Sequence, residues 1–216
     1  MTLNADYGAR VVIDTRTAPW AASSEPGVER HLLDQAGGTG ERTTCIERHA
    51  PGSVFESDGL GEECLVLSGS FEDEEGVYPA GAYVRTRPGA RRRCATASGC
   101  ELFVKRGQFQ AGDDAQVAID TRSARFRPGL VPGLTVLPLH EFGGEHVAFV
   151  RWAPGTRFQP HTHWGGEEIL VLDGVFSDEH GDYPACTWIR SPHLSRHHPF
   201  SEPGCLIYVK VGHLNY

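Results

Sequence analysis

The chain has 216 residues, of which 26 are glycine and 14 are proline, and its formal net charge at pH 7 is −8. This length allows one large domain or two small ones, and the abundance of turn-forming residues favours a β protein over a helical bundle. The acidic balance argues against nucleic-acid binding, which normally requires a basic surface. Because no apolar run of about 18 residues occurs and no signal-peptide core follows Met1, we expect a soluble, cytoplasmic protein without a membrane partner.

The two halves of the chain repeat the same sequence pattern. Residues 12–16 return as residues 118–122, and residues 71–80 return as residues 176–185. From Gly61 and Gly166 onward the two copies keep a constant offset of 105 residues. A period of this length indicates a duplicated domain, not a solenoid of short repeats. We therefore predict two domains, residues 1–108 and 109–216, with the boundary in the polar stretch 107–115.

Each repeat consists of short strand-like segments separated by turn signals. In the second repeat the segments rich in β-branched, aliphatic and aromatic residues are 134–139, 146–153, 168–172, 186–190 and 205–211. Turns are predicted at residues 173–174, 180–182 and 201–204. Many short strands without intervening helices predict an all-β fold, with two tandem jelly-roll barrels.

Residues 155–167, Gly-Thr-Arg-Phe-Gln-Pro-His-Thr-His-Trp-Gly-Gly-Glu, contain a candidate metal-binding pattern. His161 and His163 are two residues apart, and at this spacing both side chains point to the same face of a strand. The glycine pair after Trp164 lets the chain turn back, so that Glu167 comes opposite His163 on a returning strand. We expect His197, from a later strand, to supply a fourth ligand.

Three neutral imidazoles and one carboxylate suit a borderline divalent ion. We favour zinc, with iron, nickel and manganese as alternatives. Free histidine has a pKa near 6.5, so we expect the metal to be lost as the pH falls through about 6 to 5.

A neighbouring histidine and the first repeat offer alternatives. His198 competes with His197, and strand alternation would send only one of the pair inward. In the first repeat, Arg92 stands where the second has His197, and of the four ligands only Glu62 is retained. We expect this barrel to hold no metal at this position. Residues 91–93, all arginine, offer an anion site instead, although a solvated basic turn is the preferred interpretation.

The six cysteines form no C-x-x-C pair, so we expect free thiols packed in the core. Cys186 stands where the first repeat has Gly81. A thiol at this position is expected to face the barrel interior.

The histidine pattern resembles the cupin superfamily. The first cupin motif, G-x5-H-x-H-x3-E-x6-G, is met by Gly155, His161, His163, Glu167 and Gly174. The second, G-x5-P-x-G-x2-H-x3-N, is met at Pro192 and His197, while Cys186, Leu194 and Ser201 replace its glycines and asparagine. The first repeat keeps both glycines, Gly81 and Gly89. These replacements bear on the turn before His197 and not on the ligand itself.

More narrowly, the chain resembles the cupin-like domain of ChrR anti-sigma factors. The resemblance lies in residues 166–185, in His197-His198-Pro199, and in Gly204-Cys205 with Val209-Lys210, and it covers nearly the whole chain as two copies. It implies a zinc site at His161, His163, Glu167 and His197. Anti-sigma activity in that family belongs to a separate N-terminal helical zinc domain. Since no such domain precedes the first repeat, we do not carry that activity over.

Two functions follow from this resemblance. The favoured one is a binding or sensory module, in which the metal-loaded second barrel recognises a small molecule or an oxidant. The alternative, implied by cupins of similar sequence, is a non-haem iron dioxygenase that cleaves a β-diketone or hydroxyacetophenone, with Trp188, Phe149 and Trp152 lining its pocket. No residue pattern beyond the ligands identifies a catalytic base or nucleophile. Two fused copies can mimic a cupin dimer, so both a monomer and a homodimer fit the sequence.

Overall fold

The computed structural model describes residues 2–17, 19–37 and 42–214, and all regular secondary structure in these ranges is β-strand. The chain forms two compact units, Met1–Ala5 with Ala18–Ala124 and Asp6–Thr17 with Arg125–Tyr216. The predicted all-β class with two jelly-roll barrels is confirmed. Within the described ranges, no helix is long and apolar enough to span a bilayer.

In chain order, the strands are β1 (Val11–Asp14), β2 (Ala21–Ala22), β3 (Val28–Ala36), β4 (Arg42–His49), β5 (Ser53–Glu56), β6 (Glu62–Asp73), β7 (Gly76–Pro79), β8 (Ala82–Thr86), β9 (Arg93–Thr96), β10 (Cys100–Arg106), β11 (Val117–Asp120), β12 (Arg127–Pro128), β13 (Leu134–Phe142), β14 (Glu145–Trp152), β15 (Thr156–Arg157), β16 (His161–His163), β17 (Glu167–Asp178), β18 (Gly181–Pro184), β19 (Thr187–Ser191), β20 (Ser195–His197), β21 (Phe200–Ser201) and β22 (Cys205–Val211).

The two units have the same sheet topology. In the first unit, a ten-stranded antiparallel sheet follows the order β11-β8-β6-β10-β4-β3-β2, with β5, β7 and β9 paired off this path. In the second unit the corresponding order is β1-β19-β17-β22-β14-β13-β12, with β15, β18 and β21 off the path. The second unit has in addition a small two-stranded sheet of β16 and β20.

The first strand of each repeat joins the sheet of the other repeat. β1 pairs with β19, with Val11 opposite Arg190 and Asp14 opposite Thr187. In the same way β11 pairs with β8. The compact units therefore do not coincide with the sequence repeats 1–108 and 109–216. Each unit includes a segment from the start of the other repeat. No local signal marks this exchange, because an edge strand's backbone can pair with any complementary edge.

The five strands expected in the second repeat are all present, but β17 is longer than predicted. It continues through residues 173–174, where the sequence predicts a turn. The pairing of β17 with β22 shifts register between Val171 and Asp173, and Gly174 has a φ of 71°. A Cβ on Gly174 would lie 2.0 Å from the carbonyl oxygen of Gly204. The dipeptide is thus a β-bulge that bends the strand, and the turn prediction was wrong.

Each unit has its own apolar core. In the second unit the core includes Trp152, Ile169, Val171, Phe176 and Ile207, which alternate along their strands with residues on the opposite face. The core of the first unit includes four of the six cysteines, Cys45, Cys64, Cys94 and Cys100. All six thiols are free and only Cys186 is exposed. The expectation of free thiols is confirmed, but an inward-facing Cys186 was wrong.

Both residues that replace the motif glycines keep the glycine conformation. Cys186 and Leu194 have φ values of 69° and 61°, and their counterparts Gly81 and Gly89 have 87° and 82°. Left-handed backbone is strained for residues that carry a Cβ. The turn before His197 therefore forms without its glycine, and the fixed backbone explains why the Cys186 side chain points outward.

We expect Leu194→Gly to stabilise the protein by about 0.5–1 kcal/mol. The relief of left-handed strain, about 1–2 kcal/mol, exceeds the backbone entropy that glycine adds to the unfolded chain. Differential scanning calorimetry with a chelator present should show a rise of about 2 °C. The matched control is Gly89→Ala, where a Cβ has no neighbour within 4 Å, and it should lower the midpoint. An unchanged or lower midpoint for Leu194→Gly would contradict this account.

Candidate metal centre

The small sheet of β16 and β20 brings two predicted ligands together. His161 lies directly opposite His197, and His163 lies opposite Ser195. Strand alternation points the rings of His161 and His163 to the same face, and their centroids are 4.5 Å apart. The i, i+2 spacing therefore has the predicted effect.

Glu167 reaches the same place by a different route from the one predicted. It does not return along β16 but begins β17, where it pairs with Ser191 and Val211. Gly165 and Gly166 have φ values of 73° and 71° and turn the chain out of the small sheet into the main one. The predicted hairpin was wrong, because His163 pairs with Ser195 of β20, whereas Glu167 pairs within the main sheet.

The donor atoms converge on one point. The nitrogen atoms that His161, His163 and His197 offer lie within 4.8 Å of one another. His163 Nε2 is 2.9 Å from His197 Nε2, and the carboxylate of Glu167 is 3.5 Å from the first and 3.7 Å from the second. This spacing makes the three histidines a possible metal site, with Glu167 beside two of them.

The orientation of the His161 ring is set by the backbone. Its Nδ1 lies 3.0 Å from the carbonyl oxygen of Gln159. A carbonyl can only accept, so Nδ1 carries the hydrogen and Nε2 keeps a free lone pair. This is the tautomer that a metal ligand requires.

The electrostatics of the centre also fit a cation. Burial raises the pKa of Glu167 to about 7. Burial, together with the neighbouring imidazoles, lowers the pKa of His163 to about 3 and also lowers that of His161. The two imidazoles of His161 and His163 carry no positive charge to offset a buried carboxylate, and a divalent ion would supply it.

His197, and not its neighbour, faces this centre. His197 is buried and His198 is exposed. The backbone N–H of His198 donates to Glu179 at 2.7 Å. The alternation that we used to separate the two residues is observed.

In the first unit an arginine occupies the place of the metal-facing histidine. Arg92 is ion-paired with Asp73, and its Nη2 donates to the hydroxyl of Tyr78 at 2.8 Å. Arg91 and Arg93 are exposed, whereas Arg92 is buried. The three arginines therefore do not converge on an anion, because neighbouring residues point to opposite faces.

Further ion pairs fill the interior of this barrel. Arg106 contacts both oxygens of Glu47, at 2.7 and 2.9 Å, and its Nε lies 2.7 Å from Glu62. The retained Glu62 is thus paired with a guanidinium. The guanidinium of Arg106 thus places a positive charge beside both carboxylates.

A pocket of about 180 Å³ adjoins the candidate metal centre of the second unit. Its wall contains His161, Glu167 and His197, and its other lining residues are apolar. Of the three aromatic residues proposed for it, Trp152 lines the pocket. Trp188 and Phe149 are buried outside the lining, and the indole N–H of Trp188 donates to Glu168. For these two the proposal was wrong, because they lie on the opposite face of their strands.

Sequence reasoning missed a group of residues behind His197. Asp178 Oδ2 lies 3.6 Å from His197 Nδ1, and Arg10 and Tyr183 both contact Asp178. Burial raises the pKa of Asp178, but the contacts with His197, His180, Tyr183 and Arg10 outweigh it and lower the pKa to about 2. Burial lowers the pKa of His197, but Asp178 and Glu167 raise it overall. The recurrence of Asp73 and Tyr78 in the first repeat was the available signal.

Two antiparallel jelly-roll barrels, one of them with a histidine cluster at the end of an apolar pocket, define the protein as a cupin. The family model of the ChrR cupin-like domain matches residues 8–110 and again residues 114–215. The chain belongs to this family, as two copies of its domain.

Solved structures show the same fold at low sequence identity. A candidate dioxygenase from Nostoc punctiforme is 16% identical, with a TM-score of 0.77 over 94% of this chain and 82% of that chain. The protein YlbA from E. coli is 14% identical, with a TM-score of 0.73 over 98% and 94%. An oxalate decarboxylase from Lactobacillus farciminis is 11% identical, with a TM-score of 0.64 over 100% and 90%. No curated protein matches the sequence.

We expect metal affinity to fall as the pH decreases below about 7, a higher range than free histidine predicts. Glu167, with a pKa of about 7, and His197, with a raised pKa, must each lose a proton to bind the ion, whereas His163 stays neutral. Each proton costs up to about tenfold in affinity per pH unit. Competition between Zn²⁺ binding and a chelator from pH 6 to 8 measures this slope. Glu167→Gln should reduce the number of protons released on Zn²⁺ binding by one. A Zn²⁺ affinity that does not depend on pH would contradict the assignment of Glu167 and His197 as ligands.

Proposed function

We propose that the second barrel binds one divalent metal ion through His161, His163, Glu167 and His197, and that the protein is a metal-dependent binding or sensory module for a small molecule. The observation that carries this proposal is the clustering of the three histidines, with His161, Glu167 and His197 in the wall of an apolar pocket. A molecule in the pocket would meet the ion directly. Zinc is the ion that we favour for this donor set.

The pocket itself indicates the kind of molecule. Trp152, Phe158 and Phe176 are among its apolar lining residues, and His161, Glu167 and His197 are its polar ones. Polar groups therefore occur only at the metal end. This arrangement favours a ligand with an apolar body and one polar head that is directed at the ion. Leu130, which is 86% exposed and also lines the pocket, would shield the outer end of such a ligand from water.

The alternative function is metal-dependent oxygenation of a diketone or a hydroxyacetophenone. The apolar lining supports it, because oxygen chemistry at iron needs a pocket that excludes water and an open position at the metal. The lining residues include no acid or base besides the metal-binding side chains. The substrate would therefore be activated at the ion, and the chain's own contribution would be to orient it in the pocket.

Substitution of the ligands tests the metal site. We expect His161→Ala and His163→Ala to reduce the bound metal from about one ion per chain to none, since each removes a donor that faces the ion. The matched control is His198→Ala, whose side chain is exposed and which should keep its ion. Metal content is measured by mass spectrometry after dialysis at pH 8. Normal loading of His163→Ala, or loss of the ion from His198→Ala, would contradict the site.

The ion that copurifies separates the two functions. The protein is purified without added metal and assayed for oxygen uptake with a β-diketone. Zinc at one ion per chain without oxygen uptake supports the binding module. Iron with oxygen uptake that requires the diketone overturns the module in favour of the dioxygenase.

A further inference from the structure

A buried carboxylate lies behind one of the proposed metal ligands. Asp178 is the last residue of β17, and its Oδ2 is 3.6 Å from Nδ1 of His197. This nitrogen is on the far side of the ring from Nε2, which lies beside Glu167 and His163. The distance is slightly longer than a hydrogen bond. A ring movement of less than about 1 Å would bring the contact to hydrogen-bond length.

The carboxylate of Asp178 is held from several sides. Its Oδ1 accepts from the hydroxyl of Tyr183 and from the backbone N–H of His180, both at 2.8 Å. Its Oδ2 accepts from Nη2 of Arg10 at 2.9 Å, and the same nitrogen lies 2.8 Å from the Tyr183 hydroxyl. Only Oδ2 faces the imidazole. The donors therefore fix which oxygen His197 meets.

The first unit contains the same carboxylate–phenol pair with a different partner. Asp73 and Tyr78, which match Asp178 and Tyr183, hold the guanidinium of Arg92 at the position that matches His197. The pair thus holds whichever nitrogen-bearing side chain occupies this position. In the first unit that side chain, Arg92, also provides the positive charge that balances Asp73.

In the second unit the counter-charge comes from elsewhere in the chain. Arg10 directly precedes β1, the strand that joins this sheet from the start of the first repeat. Its guanidinium lies 2.9 Å from Asp178 and supplies a positive charge that does not come from His197. A neutral imidazole that gives its Nδ1 hydrogen to a carboxylate has a more basic Nε2 and a fixed ring orientation.

We propose that Asp178, held by Arg10 and Tyr183, positions His197 for the metal: its carboxylate accepts the Nδ1 hydrogen and directs the Nε2 lone pair at the ion. This rests on the proposed metal site. It adds that residues of the first repeat's N-terminal segment tune the affinity of a site whose ligands all belong to the second repeat.

Metal affinity in the full-length protein tests this role. Asp178→Asn keeps the shape of the side chain and should lower the Zn²⁺ affinity by about 10–100-fold, measured at pH 8 against a competing chelator. Arg10→Gln should lower it less, and Arg10→Lys should restore part of the loss. The matched control is Asp73→Asn, the same change at the equivalent position of the first unit, and it should leave the affinity unchanged. An equal loss in both variants would indicate a general effect on the fold and overturn the proposal.

The tautomer of His197 provides a readout that needs no metal. Long-range proton–nitrogen NMR spectra of the ¹⁵N-histidine-labelled, metal-free protein should show hydrogen on Nδ1 of His197, with the signal assigned by its absence in His197→Ala. Asp178→Asn should shift this hydrogen toward Nε2, and Asp73→Asn should not. If the wild type binds no Zn²⁺, the proposed metal site fails, but the tautomer still tests the positioning. If Asp178→Asn keeps both its Zn²⁺ affinity and its Nδ1 hydrogen, Asp178 has no positioning role even though the metal site stands.

Discussion

The pairing of β16 with β20 is the interaction on which the candidate metal centre depends. Two strands of three residues place His161 opposite His197, and an isolated pair of this size is marginally stable at best. Backbone hydrogen bonds attach the small sheet to its surroundings, from Leu194 N–H to the His163 carbonyl at 2.9 Å and from Leu214 N–H to the Gly165 carbonyl at 2.7 Å. An ion bound by both strands would add a cross-link that the backbone alone does not supply.

Buried carboxylates have different partners in the two barrels. In the first, carboxylates are matched by guanidinium groups, as in the pairs of Arg106 with Glu47 and of Arg92 with Asp73. In the second, Arg10 is ion-paired with Asp178, and the carboxylate of Glu167 lies beside the imidazole of His163. Cupin geometry is retained in both, and among the described residues the histidine cluster lies in the second. The matching space in the first barrel is lined by ion-paired side chains, Glu62, Arg92 and Arg106.

Sequence patterns predicted what is local and periodic. The fold class, the 105-residue offset, the common face of His161 and His163 and the inward orientation of His197 all follow from strand alternation or from repetition. Two of the errors occurred where one residue's backbone conformation decides the path of the chain or the direction of a side chain. Asp173-Gly174 predicts a turn, but the left-handed Gly174 bends β17 without ending it. At Cys186 a left-handed backbone points the thiol to solvent. Amino-acid composition does not reveal the backbone angle φ, so neither the bulge nor the exposed thiol could be predicted from the sequence.

By itself the sequence determined that the chain is a duplicated β protein with one histidine-rich cupin motif, because both properties follow from the spacing of residues along the chain. Only the tertiary structure decided that β16 pairs with β20, that β1 crosses to the second sheet with Arg10, and that Asp178 stands behind His197. These contacts join residues that are 19 to 179 positions apart, from Asp178 with His197 to Val11 with Arg190. They depend on which backbone edges remain free to pair once both sheets have formed, and no local pattern encodes that choice.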